Sequence, residues 1–101
     1  MWTIVCFDLP TEKPKHKKAY VRFRRELLAM GFSMLQYSVY ARFAASDEID
    51  KAVRGQICDV LPEWGQVRVL SLTDRQFEKQ ALFVGKIREK VESAPQQILL
   101  F

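Results

Sequence analysis

The first strand of this chain is apolar on both of its faces, and this constrains the fold more than any other feature. Residues 2–9 (Trp2-Thr3-Ile4-Val5-Cys6-Phe7-Asp8-Leu9) stop at Pro10 and are almost all apolar or β-prone, so they read as a buried strand. Side chains alternate along a strand, which puts Trp2, Ile4 and Cys6 on one face and Val5, Phe7 and Leu9 on the other. A chain of 101 residues has room for one domain with one core. In a two-layer sandwich the helices cover only one face of the sheet. The other face needs a second cover. Another copy of the sheet is the simplest one, so the pattern predicts a homodimer.

Asp8 shares the face of Trp2, Ile4 and Cys6. An ionised carboxylate at the end of a buried strand is expensive unless a cation or hydrogen-bond donors compensate it. One reading is structural: Asp8 caps the following turn through N–H groups around Thr11. The other needs the dimer, in which two copies of Asp8 meet near the two-fold axis and share a proton or bind a divalent cation. Mg²⁺ (or Mn²⁺) suits such a site, because Mg²⁺ takes few protein carboxylates and keeps water and phosphate oxygens as its other ligands. The sequence has no other compact acidic constellation, so metal catalysis within one protomer is not expected.

The rest of the chain supplies the elements of a sandwich. Pro14 suits the first turn of a helix running to Met30, with Gly31 as its terminator and Tyr20, Phe23, Leu27 and Met30 as its core stripe. Residues 32–43 read as two short strands bent near Gln36–Tyr37. Ser46 caps a second helix whose first turn carries Asp47, Glu48 and Asp50 and whose buried stripe is Ile49, Val53, Ile57 and Val60, with Pro62 as its stop. Gln66–Thr73 is a third extended segment, followed by a helical turn at Asp74–Lys79 and an apolar piece at Ala81–Val84. Lys86–Ser93 reads as an exposed turn or short helix, and residues 96–101 as a terminal strand. The order predicts one domain over residues 1–101: an α+β, ferredoxin-like βαββαβ sandwich with an additional C-terminal strand.

Charge is concentrated on one element. Residues 11–30 hold seven Lys and Arg against two Glu, an excess larger than the net +4 of the whole chain. The lysines cluster at the helix start, where the helix dipole disfavours them, and they lack acidic i,i+4 partners. An external polyanion explains them better than local stability does. Lys17, Lys18, Arg22, Arg24 and Arg25 are therefore candidate phosphate contacts.

The remaining chemistry-bearing residues point elsewhere. Cys6 and Cys58 have no Cys or His at metal-ligand spacing and read as buried, reduced thiols, as expected of a cytoplasmic protein. His16, the only histidine, reads as an exposed surface residue. Ser38 has no His or Asp arrangement nearby that would make it a nucleophile, and reads as a structural hydroxyl or a polar group near Asp8. Phe32, Tyr37, Tyr40 and Phe43 read as core rather than as the base-stacking strands of an RNA-recognition module. No segment is long and apolar enough for a membrane span, so no membrane association is expected.

Three motifs together carry a resemblance. They are Ile4-Val5-Cys6-Phe7-Asp8-Leu9-Pro10-Thr11, then Lys18-Ala19-Tyr20-Val21-Arg22-Phe23-Arg24, and Gly31-Phe32-Ser33-Met34-Leu35-Gln36-Tyr37-Ser38-Val39-Tyr40. The segment Val67-Arg68-Val69-Leu70-Ser71-Leu72-Thr73-Asp74-Arg75-Gln76-Phe77 and the closing hydrophobic residues extend it over essentially the whole chain. The chain resembles the small CRISPR-associated endonucleases that assist the CRISPR integrase in spacer acquisition. The resemblance implies a ferredoxin-like homodimer with packed sheets, in which the C-terminal strand joins the partner's sheet. It also implies a divalent-metal site at Asp8, and cleavage of single-stranded RNA or double-stranded DNA. Some members of that family act only as a DNA-binding bridge between integrase dimers. The leading expectation is thus a Mg²⁺-dependent endonuclease with Asp8 as catalytic metal ligand. Its rivals are a non-catalytic DNA-binding scaffold and a metal-free RNA-binding module.

Overall fold

The computed structural model describes residues 1–95. Strand β1 (Trp2–Asp8) leads through a short loop into helix α1 (Pro14–Ala29), then into β2 (Ser33–Gln36) and β3 (Val39–Phe43). Helix α2 (Asp47–Asp59), strand β4 (Gln66–Leu72) and the short helix α3 (Asp74–Glu78) follow. A small hairpin of β5 (Leu82–Val84) and β6 (Ile87–Glu89) closes the described chain. The main sheet has the order β2-β3-β1-β4, with β1 antiparallel to both β3 and β4. This is the ferredoxin-like α+β sandwich. The expected additional C-terminal strand, residues 96–101, lies outside the described residues.

Each helix forms for a local reason. Pro14 opens α1, and Gly31, at φ +89°, reverses the chain after Met30. Ser46 Oγ accepts from the Ile49 N–H at 3.2 Å and caps α2. Thr73 and Gln76 form a reciprocal capping box on α3. Both long helices pack on one sheet face, where Val5, Phe7 and Leu9 meet Phe23, Leu27, Val53 and Ile57. Phe7 touches three rings there, Tyr20, Phe23 and Tyr40, at centroid distances of 5.7, 5.2 and 5.6 Å.

The α2 stripe departs from its expected pattern. Ile49 is 39% exposed, whereas Asp50, one residue on, is only 6% exposed. Thr3 Oγ1 donates to Asp50 Oδ1 at 2.5 Å, and Ser71 Oγ donates to Oδ2 at 2.7 Å. Arg54, one turn along the helix, reaches Oδ2 at 3.3 Å and donates to Ser71 Oγ at 2.7 Å. A polar knot therefore ties α2 to β1 and β4 where a Leu or Ile would ordinarily pack.

The second sheet face also differs from expectation. The chain covers part of it by itself: Phe77 of α3 stacks on Trp2 at 4.1 Å, and Val91 and Ala94 pack against the same cluster as Ile4 and Ala41. Among the described residues nothing covers the half nearer Asp8, and Leu70, opposite Ile4 at mid-strand, is 48% exposed. Lys86–Ser93 is neither a turn alone nor a helix. Its first part pairs as β6 with β5 across Gly85, whose φ of +61° makes the tight turn.

Candidate nucleic-acid and phosphodiester site

Asp8 is the last residue of β1 and pairs with Gln66 of β4. Register places Cys6 opposite Arg68, so Asp8, Gln66, Cys6 and Arg68 project from the same sheet face. The end of β1 is held at two points. The Phe7 N–H donates to the Ser38 carbonyl at 3.0 Å, and Gly65 packs against the main chain of Asp8 and Leu9. At Gly65 a Cβ would lie 2.4 Å from the Asp8 carbonyl oxygen, and φ is +89°, so only glycine fits. Ser38 itself sits at φ +64° in the tight turn between β2 and β3. That turn carries Tyr37 out to 88% exposure, away from the core position expected of it.

These constraints shape a cleft of about 290 Å³ lined by Asp8, Ser38, Tyr37, Cys6, Gln66 and Arg68. Ser38 thus lines the same cleft as Asp8. The cleft does not desolvate Asp8. The Asp8 residue is exposed in the single chain, because β1 ends at the sheet margin and no helix among the described residues covers that side. Among the described residues no group of three or more His, Cys, Asp or Glu could hold a metal ion. One protomer supplies one carboxylate to the cleft. Arg68, Gln66 and Tyr37 are the lining residues that sequence reading missed. Alternation along β4 from Gln66 would have put Arg68 on the face of Asp8 once the register was known.

The five basic residues of α1 occupy a different layer. Lys17, Lys18, Arg22, Arg24 and Arg25 are all exposed, and four of them surround Val21 on the outer side of the helix. Because α1 packs on the Val5 and Phe7 face, this cationic stripe lies across the sheet from Asp8. The cation in the Asp8 cleft is Arg68 instead. His16 is not a free surface residue. It is half-buried and meets Trp64 edge-on at 4.9 Å, while Lys15 Nζ lies 5.0 Å from the centroid of the same indole. The cysteines are free among the described residues, but Cys6 is half-buried and Cys58 is exposed rather than buried.

The surroundings of Asp50 clearly displace its titration. Burial pushes its carboxyl up, but hydrogen bonds from Thr3 and Ser71, with the charge and hydrogen bond of Arg54, outweigh this and hold it below the ordinary value. It lies on the buried side of α2 and is a structural group rather than a member of the cleft.

A ferredoxin-like domain with a cationic helix layer and an exposed carboxylate on the opposite sheet face is the class that fold and site define. The sequence model described as "CRISPR associated protein Cas2" matches residues 1–80. The chain belongs to that family. It is 48% identical over 101 residues to the CRISPR-associated endoribonuclease Cas2 of Parvibaculum lavamentivorans, with all of both chains covered. It is 44% identical to the protein of the same description from Flavobacterium psychrophilum, covering all of this chain and 88% of the other. The crystal structure of Streptococcus pyogenes Cas2 at pH 6.5 superposes with a TM-score of 0.60 at 19% identity. It covers 84% of this chain and all of its own, and it supports the fold. No helix among the described residues is long and apolar enough to cross a membrane.

Proposed function

We propose that this chain is a divalent-metal-dependent endonuclease of the CRISPR adaptation machinery, acting as a cytoplasmic homodimer alongside the integrase. The observation that carries this reading is the open half of the second sheet face, where Asp8, Ser38 and Arg68 line one cleft beside exposed Leu70. Two such faces packed together would bury Leu70 and bring two Asp8 carboxylates towards one axis. A pair of carboxylates fits Mg²⁺ or Mn²⁺, which need few protein ligands, better than a metal that requires a closed cage. When bound, the ion would supply Lewis-acid polarisation of the phosphodiester and activation of water.

The chain's own residues then have separate tasks. Asp8 provides the anionic oxygens at the reacting position. Arg68, on the neighbouring strand, offsets the phosphate charge and orients it by its planar fork of donors. The Ser38 main chain and Gly65 hold the end of β1, and with it Asp8, in register. Lys17, Lys18, Arg22, Arg24 and Arg25 hold the polynucleotide backbone by charge without reading its bases. The substrate is single-stranded RNA or double-stranded DNA. The relatives named endoribonuclease support the RNA alternative.

The separation of the basic stripe from Asp8 favours a second reading, a non-catalytic DNA-binding scaffold that bridges integrase dimers. Asp8→Asn decides between them. Asparagine keeps the shape and removes the charge, so the fold and nucleic-acid binding should persist while Mg²⁺-dependent cleavage falls steeply. Cleavage at the wild-type rate in a clean variant would refute the catalytic role. A wild type that binds but never cleaves, across Mg²⁺, Mn²⁺ and pH, would establish the scaffold.

A further inference from the structure

A second cleft, of about 410 Å³, opens between α1 and the loop joining α2 to β4. Lys18 and Arg22 line it from α1, and Asp59, Glu63 and Trp64 line it from the end of α2 and the loop that follows. Phe23 and Pro62 contribute apolar surface. Trp64 is unusual for a loop tryptophan, since it packs into neither of the two core clusters. Its indole is held instead by a T-shaped contact with the His16 ring and by the ammonium of Lys15. A large flat ring is thus fixed in orientation at a polar surface, where burial of the ring itself does not account for it.

The chemistry of the lining selects what would enter. Lys18 and Arg22 belong to the stripe proposed above to hold phosphates. Asp59 and Glu63 repel a phosphate seated deep in the cleft, but they accept hydrogen bonds from the amino groups of a nucleobase. We propose that this cleft takes one unstacked base of a single-stranded polynucleotide whose phosphates lie on Lys18 and Arg22. The base packs against Trp64, as bases do on aromatic platforms in single-strand-binding proteins. This inference rests on the reading of α1 as a phosphate-binding face. It makes the bound nucleic acid single-stranded at this point. It also places that point beside the Asp8 end of the sheet, since Trp64 precedes by two residues the Gln66 that lines the Asp8 cleft.

The chain has two tryptophans, and Trp2 is buried against Phe77, so Trp2→Phe leaves Trp64 as the sole indole emitter. In that variant, a short single-stranded DNA should quench the emission, whereas an abasic strand of equal length should bind without quenching. The abasic strand should also bind about tenfold more weakly, the loss expected for one stacked base. Trp64→Ala should weaken the base-bearing strand by a similar factor and leave the abasic strand unchanged. Equal affinity and equal quenching by the two strands would overturn the pocket, as would equal quenching by a fully paired duplex. The reading of α1 fails separately. If Lys17→Glu with Arg25→Glu left the affinity of the abasic strand and its salt dependence unchanged, α1 would not be the phosphate face.

Discussion

Replacing Asp50 by Ala should destabilise the fold by about 3 kcal/mol, and the geometry says where that figure comes from. The substitution removes the acceptor of a fully buried Thr3 hydroxyl, and an orphaned buried donor costs roughly 1–3 kcal/mol. It also removes the charged acceptor for Ser71 and Arg54. Because the Arg54 side chain is 40% exposed, water recovers much of that loss, so this part adds only about 1 kcal/mol. Urea unfolding at fixed protein concentration measures the total, and for a domain of this size the melting temperature should drop by on the order of 10–20 °C. Thr3→Val should cost about 1–2 kcal/mol in the wild type and nearly nothing in the Asp50→Ala background, where the hydroxyl no longer has its partner. The sign of the pH dependence follows from the lowered pKa. Asp50 contributes stability that is fully present above its unfolded value, near 3.8, and is lost as pH falls through the still lower folded value. The gap between wild type and Asp50→Asn should therefore be widest near neutrality and close in acid below about pH 4. An equal cost for Thr3→Val in both backgrounds, or a gap that widens in acid, would refute the account.

Three further outcomes are expected. Gly65→Ala should cost about 2–4 kcal/mol in denaturant unfolding, since its Cβ would meet the Asp8 carbonyl and its φ is left-handed; unchanged stability would mean that the loop shifts freely. Charge reversal at Arg22 and Arg25 should weaken nucleic-acid binding for all sequences alike and flatten its salt slope; a loss confined to one sequence would point to base reading instead. Sedimentation at micromolar concentration should give twice the chain mass, and Leu70→Glu on the open sheet face should shift the species towards monomer; a well-folded wild-type monomer would rule out the homodimer.

Much of the fold is legible in the residues because local rules and the core pattern agree. Pro14 and Gly31 bracket α1, Ser46 starts α2, and alternation in β1 separates two faces that the structure does separate. The readings that failed are those that depend on contacts between distant segments. Asp50 looks like a dipole-favouring residue of the first helical turn, and only the arrival of Thr3 and Ser71 from two strands turns it inward. His16 looks exposed until the Trp64 loop folds over it. The β6 pairing is hidden because Lys86, Arg88 and Glu89 have the composition of a solvated turn, and an exposed two-stranded hairpin does not need an apolar face on both strands. For the candidate site, strand position singles out Asp8 and helical spacing singles out the basic stripe. That the two lie on opposite layers follows from which sheet face α1 covers, which periodicity alone does not decide.

That layering limits how a polynucleotide can travel over one protomer. A helix with its side chains is roughly 10 Å across, so the outer surface of α1 stands about that far above the sheet, and Asp8 faces the other way. One strand of a duplex advances only about 3.4 Å along the helix axis per phosphate, so the crossing consumes several nucleotides. A straight duplex lying along α1 cannot make that crossing within one subunit. If the stripe holds phosphates as proposed, only a strand that bends around the edge formed by Leu9–Lys13 and the Trp64 loop, or a free end, can reach both the stripe and Asp8 of the same chain. Within one protomer, a duplex on the proposed phosphate stripe would be carried past that protomer's own carboxylate, whereas loose ends would be delivered to it.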